Sequence, residues 1–120
     1  MTVLLVLLGG AVGAPSRYLI DRYVQRRHDS VFPWGTFTVN LIGCLILGLL
    51  TGAAHALPAY VVTLLGTGFC GALTTFSTFG FETVRLLEDG SLREAGLNVV
   101  AGLALGIVAA ALGYAVGAAL

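Results

Sequence analysis

The sequence predicts an all-α integral membrane protein with four transmembrane helices and a break in the third. Its 120 residues are 58% hydrophobic and 10% charged, which leaves too little polar surface to cover a soluble domain. At roughly 20 residues per crossing, residues 1–120 hold about four helices and short connections: one transmembrane domain, with no room for a separate soluble or catalytic one. The third observation is a disturbance. GFCGALTTFSTFGF, Gly68 to Phe81, sets glycines, phenylalanines and the hydroxyl residues Thr74, Thr75, Ser77 and Thr78 inside an otherwise apolar segment. Backbone that leaves helical geometry at membrane depth is tolerated only when it is buried in protein or lines a polar cavity, so this stretch marks the functional centre.

The first helix covers about residues 2–24, apolar as far as Val12 and then carrying Pro15, Arg17 and Asp21 toward one interface. No basic segment precedes it and it outlasts the core of a cleavable signal, so it reads as a span. Residues 25–33 form the first loop. The second helix, about 34–56, opens at Trp34, whose amphipathic ring suits the headgroup level. His55, Leu57 and Pro58 make a short turn into the third helix, about 59–87, interrupted near 71–75. After the charged corner Glu88, Asp89, Gly90, the fourth helix takes about 92–120. Connections this short make sequential helices antiparallel neighbours.

Glycines recur as small-xxx-small pairs: Gly9 with Gly13, Gly48 with Gly52, Gly102 with Gly106, Gly113 with Gly117. Such pairs let helices approach closely in lipid, within one subunit or between two. Cys44 and Cys70 have no metal-site spacing and read as small apolar filler. Neither His28 nor His55 has a nucleophile and a carboxylate arranged around it, so an enzyme has no support. Nucleic acid is not an expected partner; membrane lipid is. All six basic residues, Arg17, Arg22, Arg26, Arg27, Arg85 and Arg93, belong to the side that carries loops 1 and 3. The positive-inside rule therefore predicts those loops in the cytoplasm. Glu82 and Arg85 are expected to form a surface ion pair at i, i+3.

Three segments, GGAVGAPSRY (Gly9 to Tyr18), PWGTFTVNLIGC (Pro33 to Cys44) and GFCGALTTFSTF (Gly68 to Phe79), in this order on a four-helix chain, resemble the Fluc (CrcB) family of small fluoride channels. The resemblance covers nearly the whole chain. It implies passive export of fluoride across the plasma membrane, an antiparallel dual-topology dimer with two pores along the interface, and a structural Na+ between the two breaks. The chemistry of the residues fits. Fluoride holds its water tightly, so a selective path needs hydrogen-bond donors and positive partial charge without a basic trap.

Asn40 lies about 9 Å inside the Trp34 interface at 1.5 Å per residue, and its amide must find a partner. By itself it reads either as an interhelical hydrogen bond or as a pore donor; the resemblance implies the pore. Phe76 and Phe79, three apart, share a helix face. They read as core packing, or, by resemblance, as the pore phenylalanines whose positive ring edges face the anion. At an interrupted helix, backbone carbonyls lose their partners and can hold a hard cation. The resemblance assigns this role to Gly71 and Thr74, which would meet their symmetry equivalents around sodium. Thr75, Ser77 and Thr78 either satisfy exposed backbone or face the pore. Arg17 matches a vestibule arginine that attracts anions, with snorkelling to the interface as the alternative. On the fourth helix Asn98 matches the expected polar track, but Gly102 stands where relatives of this type often carry serine.

The arginine bias fits poorly with a homodimer inserted both ways, and suggests an oppositely oriented paralogue as partner. Two other readings stand beside a self-sufficient channel. One is a non-conducting or half-pore subunit of a heterodimer. The other, a small multidrug-type exporter, needs a membrane-embedded carboxylate, and the helix interiors hold none except Glu82, near a helix end.

Overall fold

The structure is a computed structural model that describes residues 1–120. Its elements are α1 (Thr2–Arg26), α2 (Trp34–Gly52), α3 (Ala59–Val62), α4 (Gly71–Leu73), α5 (Phe76–Glu88) and α6 (Leu92–Ala118). A 3-10 turn, Ala54–Ala56, follows α2, and a π-helical stretch, Thr63–Cys70, joins α3 to α4. The segments from α3 to α5 make one bent span, Ala59–Glu88, so four apolar helical segments are long enough to cross a membrane. The 25 residues of α1 reach about 37 Å, more than the roughly 30 Å of a hydrocarbon core.

Several boundaries differ from the sequence expectation. The second helix stops at Gly52 because Pro58 dictates what precedes it: Leu57 is extended (φ −113°, ψ 143°) and the 3-10 turn takes up the slack. In the third span, Gly71–Leu73 stay helical, and the interruption narrows to two extended residues, Thr74 (φ −83°, ψ 160°) and Thr75 (φ −151°, ψ 123°). The π-helical stretch before it has no counterpart in the sequence reading.

Glycine packs the helices together. A Cβ on Gly48 or Gly52 would strike the carbonyl oxygens of Ala110 and Tyr114 on α6. Reciprocally, one on Gly113 or Gly117 would strike those of Leu45 and Leu49 on α2. These two pairs make a backbone-to-backbone seam, and Gly9 with Gly13 makes another, between α1 and the carbonyls of Leu64 and Phe69. Three of the four glycine pairs are thus intramolecular. The fourth differs: Gly106 faces the Cys44 sulfur, and Gly102 the ring of Phe79. Only 21 of 120 residues are buried, so most apolar side chains point outward, as lipid requires.

The first loop is tied down from α1. Gln25 donates to the carbonyls of Phe32 (3.3 Å) and Ser30 (3.4 Å), and its Oε1 accepts from the Gly35 amide (3.2 Å). His28 stacks on Trp34 with ring centroids 5.0 Å apart, and Phe32 lies 4.7 Å from the same indole.

Glu82 corrects an expectation. Its Oε1 is buried without a hydrogen-bond partner, near Thr36 and Asp21, while Arg85 is exposed. The reason is helical phase: Phe79, Glu82 and the buried Leu86 share the inward face of α5, and Arg85 does not.

Candidate functional site

An open groove of about 570 Å³ runs beside the break, walled by α2, the third span and α6. It is built from the local consequences of two extended residues. In an unbroken helix the Thr75 amide would bond the Gly71 carbonyl, and the Thr78 amide the Thr74 carbonyl. Neither happens. The Thr75 amide donates to Asn40 Oδ1 at 2.9 Å, and Asn40 Nδ2 returns a bond to the Thr75 carbonyl at 3.1 Å. The Thr78 amide donates to Thr75 Oγ1 at 3.2 Å, so Thr75 is the N-cap of α5. The carbonyls of Gly71 and Thr74 are therefore among those deprived of their helical donors. Gly71 and Thr74 both line the groove.

The hydroxyls divide the work. Thr74 donates back to the Cys70 carbonyl at 3.0 Å, and Thr75 donates to Thr78 Oγ1 at 3.1 Å. Ser77 Oγ lies 3.4 Å from Thr75 Oγ1 on the exposed side. The positive end of the α5 dipole and its unpaired first-turn amides point at the break. Thr75→Val is expected to lower the melting temperature by the equivalent of about 1 kcal/mol through loss of the cap, with Thr75→Ser near wild type. Equal melting of all three proteins would rule out the capping role.

Asn40, Gly71, Thr74, Thr75, Phe76, Phe79 and Asn98 all line the groove; Ser77 and Thr78 do not, and Arg17 stands apart, half-buried on α1. Asn40 has one Nδ2 proton left after serving Thr75. The Phe76 and Phe79 rings lie 6.0 Å apart at 43°, Phe76 being 84% exposed. Asn98, 1% exposed, donates to Thr83 Oγ1 at 2.8 Å. No basic side chain lines the groove. It offers an amide donor, two aromatic rings and a helix N-terminus, features that suit a small anion.

Sequence reasoning overlooked Thr83 and Gly43. Thr83 lies one turn from Phe79, where a threonine in a span bonds back to the preceding turn. Gly43 lies one turn from Asn40 on the same face of α2, and a Cβ there would strike Thr74 Cγ2. No group of three or more His, Cys, Asp or Glu is placed to hold a metal.

The family model described as CrcB-like protein, Camphor Resistance (CrcB), matches residues 4–114. The chain belongs to the CrcB family. Among CrcB relatives, the Fluoride-specific ion channel FluC 1 of Streptomyces avermitilis is 59% identical over 112 residues, which are 92% of this chain and 90% of the relative. FluC 1 of Frankia casuarinae is 57% identical, covering 96% and 95% of the two chains. FluC 2 of Rhodococcus jostii is 54% identical, covering 95% and 96%. These CrcB proteins are named as ion channels, not as catalysts.

Proposed function

We propose that the chain is the subunit of a fluoride-selective channel that passively releases fluoride from the cytoplasm and so relieves its toxicity. The observation that carries this is the match, at 50% identity and above over nearly full length, to relatives named as fluoride-specific channels. The groove supports it. The free Asn40 proton and the rings of Phe76 and Phe79 stand on the groove beside Thr75 and Asn98, while Ser77 and Thr78 flank Thr75 through hydroxyl contacts outside the lining. Arg17, apart from the groove lining on α1, has the vestibule role of gathering anions before they enter. Loops 1 and 3, on the side of the chain that carries all six arginines, face the cytoplasm.

The groove is open and Phe76 is 84% exposed, so a second subunit completes the pore. That subunit is an antiparallel copy or an oppositely oriented paralogue; the arginine bias favours the paralogue, and relatives named FluC 1 and FluC 2 fit it. The carbonyls of Gly71 and Thr74, freed by the break, suit a hard cation, and their counterparts on the partner would complete a structural Na+ site. The bound ion would supply fixed positive potential between two anion paths. The inward carboxylate of Glu82 is the one feature a small exporter would share, but it lies outside the groove lining.

Liposomes holding only this chain, read with a fluoride electrode beside a chloride control, test the proposal. Fluoride efflux without chloride efflux is expected, slowed more than about tenfold by Phe76→Ala, since that ring stands on the exposed wall of the path. Well-folded protein that leaks nothing, alone or with an oppositely oriented paralogue, would refute the channel reading.

A further inference from the structure

We infer that Asn98, Thr83 and Gly102 form a positioning device that fixes the ring of Phe79. Only its effect on fluoride rests on the channel reading. Asn98 Nδ2 donates to Thr83 Oγ1 at 2.8 Å, and Thr83 Oγ1 donates to the Phe79 carbonyl at 2.8 Å. This relay ties the backbone of Phe79 on α5 to a buried amide on α6. Gly102 stands one turn beyond Asn98 on the same face of α6. A Cβ there would lie 3.3 Å from Phe79 Cε1, closer than ordinary van der Waals contact. The relay thus sets where the ring begins, and the bare Gly102 backbone sets where it ends.

The neighbouring ring has no such support. Phe76 is 84% exposed, and its one aromatic contact is Phe79, 6.0 Å away. One subunit therefore fixes one ring of the pair and leaves the other to its surroundings. Orientation matters because an aromatic ring is positive at its edge and negative at its face. A Phe79 ring free to turn would offer an anion attraction and repulsion by turns; a fixed ring holds one presentation throughout. Thr83, Asn98 and Gly102 act through Phe79, so they are positioning residues.

The test places 4-fluorophenylalanine at position 79 of the full chain in lipid nanodiscs and reads its 19F resonance beside fluoride efflux. Thr83→Val and Gly102→Ala are each expected to move the resonance and slow efflux roughly three- to tenfold, the scale of one buried hydrogen bond. Thr83→Ser, which keeps the hydroxyl, leaves both unchanged. Gly102→Ala removes no bond and keeps the test decisive if Thr83→Val fails to fold. An unmoved resonance in Gly102→Ala and Thr83→Val, or a shift in Thr83→Ser as large as in Thr83→Val, overturns the inference. A shift without any change in efflux supports the positioning and counts against Phe79 in the pathway. A wild-type chain that conducts no fluoride defeats the channel reading while the resonances still decide this one.

Discussion

Asn40→Ala is expected to abolish fluoride efflux and to destabilise the fold by roughly 2–6 kcal/mol, at about 1–3 kcal/mol for each buried group left unpaired. The single amide of Asn40 serves both the amide and the carbonyl of Thr75, at 2.9 and 3.1 Å, across 35 residues of sequence. Without it two backbone groups at the break lose their partners at membrane depth, where water cannot replace them. The extended conformation of Thr74 and Thr75 then has little to hold it against reclosure into a continuous helix. Asn40→Asp separates the two halves of the effect. Its carboxylate still accepts from the Thr75 amide, but it faces the Thr75 carbonyl with a second acceptor and puts negative charge into the proposed anion path. Melting in detergent and efflux from liposomes should fall together in the alanine variant. An alanine variant that melts and conducts like wild type would remove Asn40 from both roles.

Gly113→Val should prevent the chain from accumulating as folded protein. A Cβ at this position would strike the Leu45 carbonyl oxygen and approach the Leu49 nitrogen to 2.8 Å, so the obstacle is backbone and not a side chain that can swing aside. The seam from Gly48 to Gly117 is the largest helix–helix surface in the molecule, and separating it forfeits the close packing that holds helices together in lipid. Overpacking alone costs about 1–3 kcal/mol in well-packed interiors, and opening a seam on both strands of contact should exceed ~3 kcal/mol. Gly96→Ala is the control, because nothing lies within 4 Å of the Cβ it would add. It should accumulate normally and melt at or slightly above the wild-type temperature, given alanine's better helix propensity. Normal yield and melting of Gly113→Val would mean that the seam is not as close as described.

The membrane class and the count of spans were legible because hydrophobicity summed over twenty residues is insensitive to detail. The break was legible for a similar reason: a hydroxyl run has no place in an apolar span. Its limits were not, since Gly71 carries no side chain to distinguish a helix from an extended strand, and the Asn40 bond that stops the helix comes from 35 residues away. The π-helical stretch Thr63–Cys70 leaves no periodic trace in a segment apolar on every side. Within the candidate site, the residue types at Asn40, Phe76, Phe79 and Asn98 invited attention, but not their partners. Thr83 was invisible because its use depends on the rotation of α5 against α6, and Glu82 was misread because spacing to Arg85 says nothing about which side of the helix faces inward.

The open groove also has a consequence for dosage. A solitary chain in the bilayer leaves the groove uncovered, with Gly71, Thr74, the spare Asn40 proton and the start of α5 along it, and hydrocarbon can satisfy no polar group left bare there. Each such group is costly by several kcal/mol when left bare in lipid. If a second subunit covers the groove, as proposed, its docking is the last folding step, and the lifetime of any copy depends on how many suitable partners share its membrane. Expression level then becomes a structural variable: surplus subunits without a cover are the ones a membrane protease finds open.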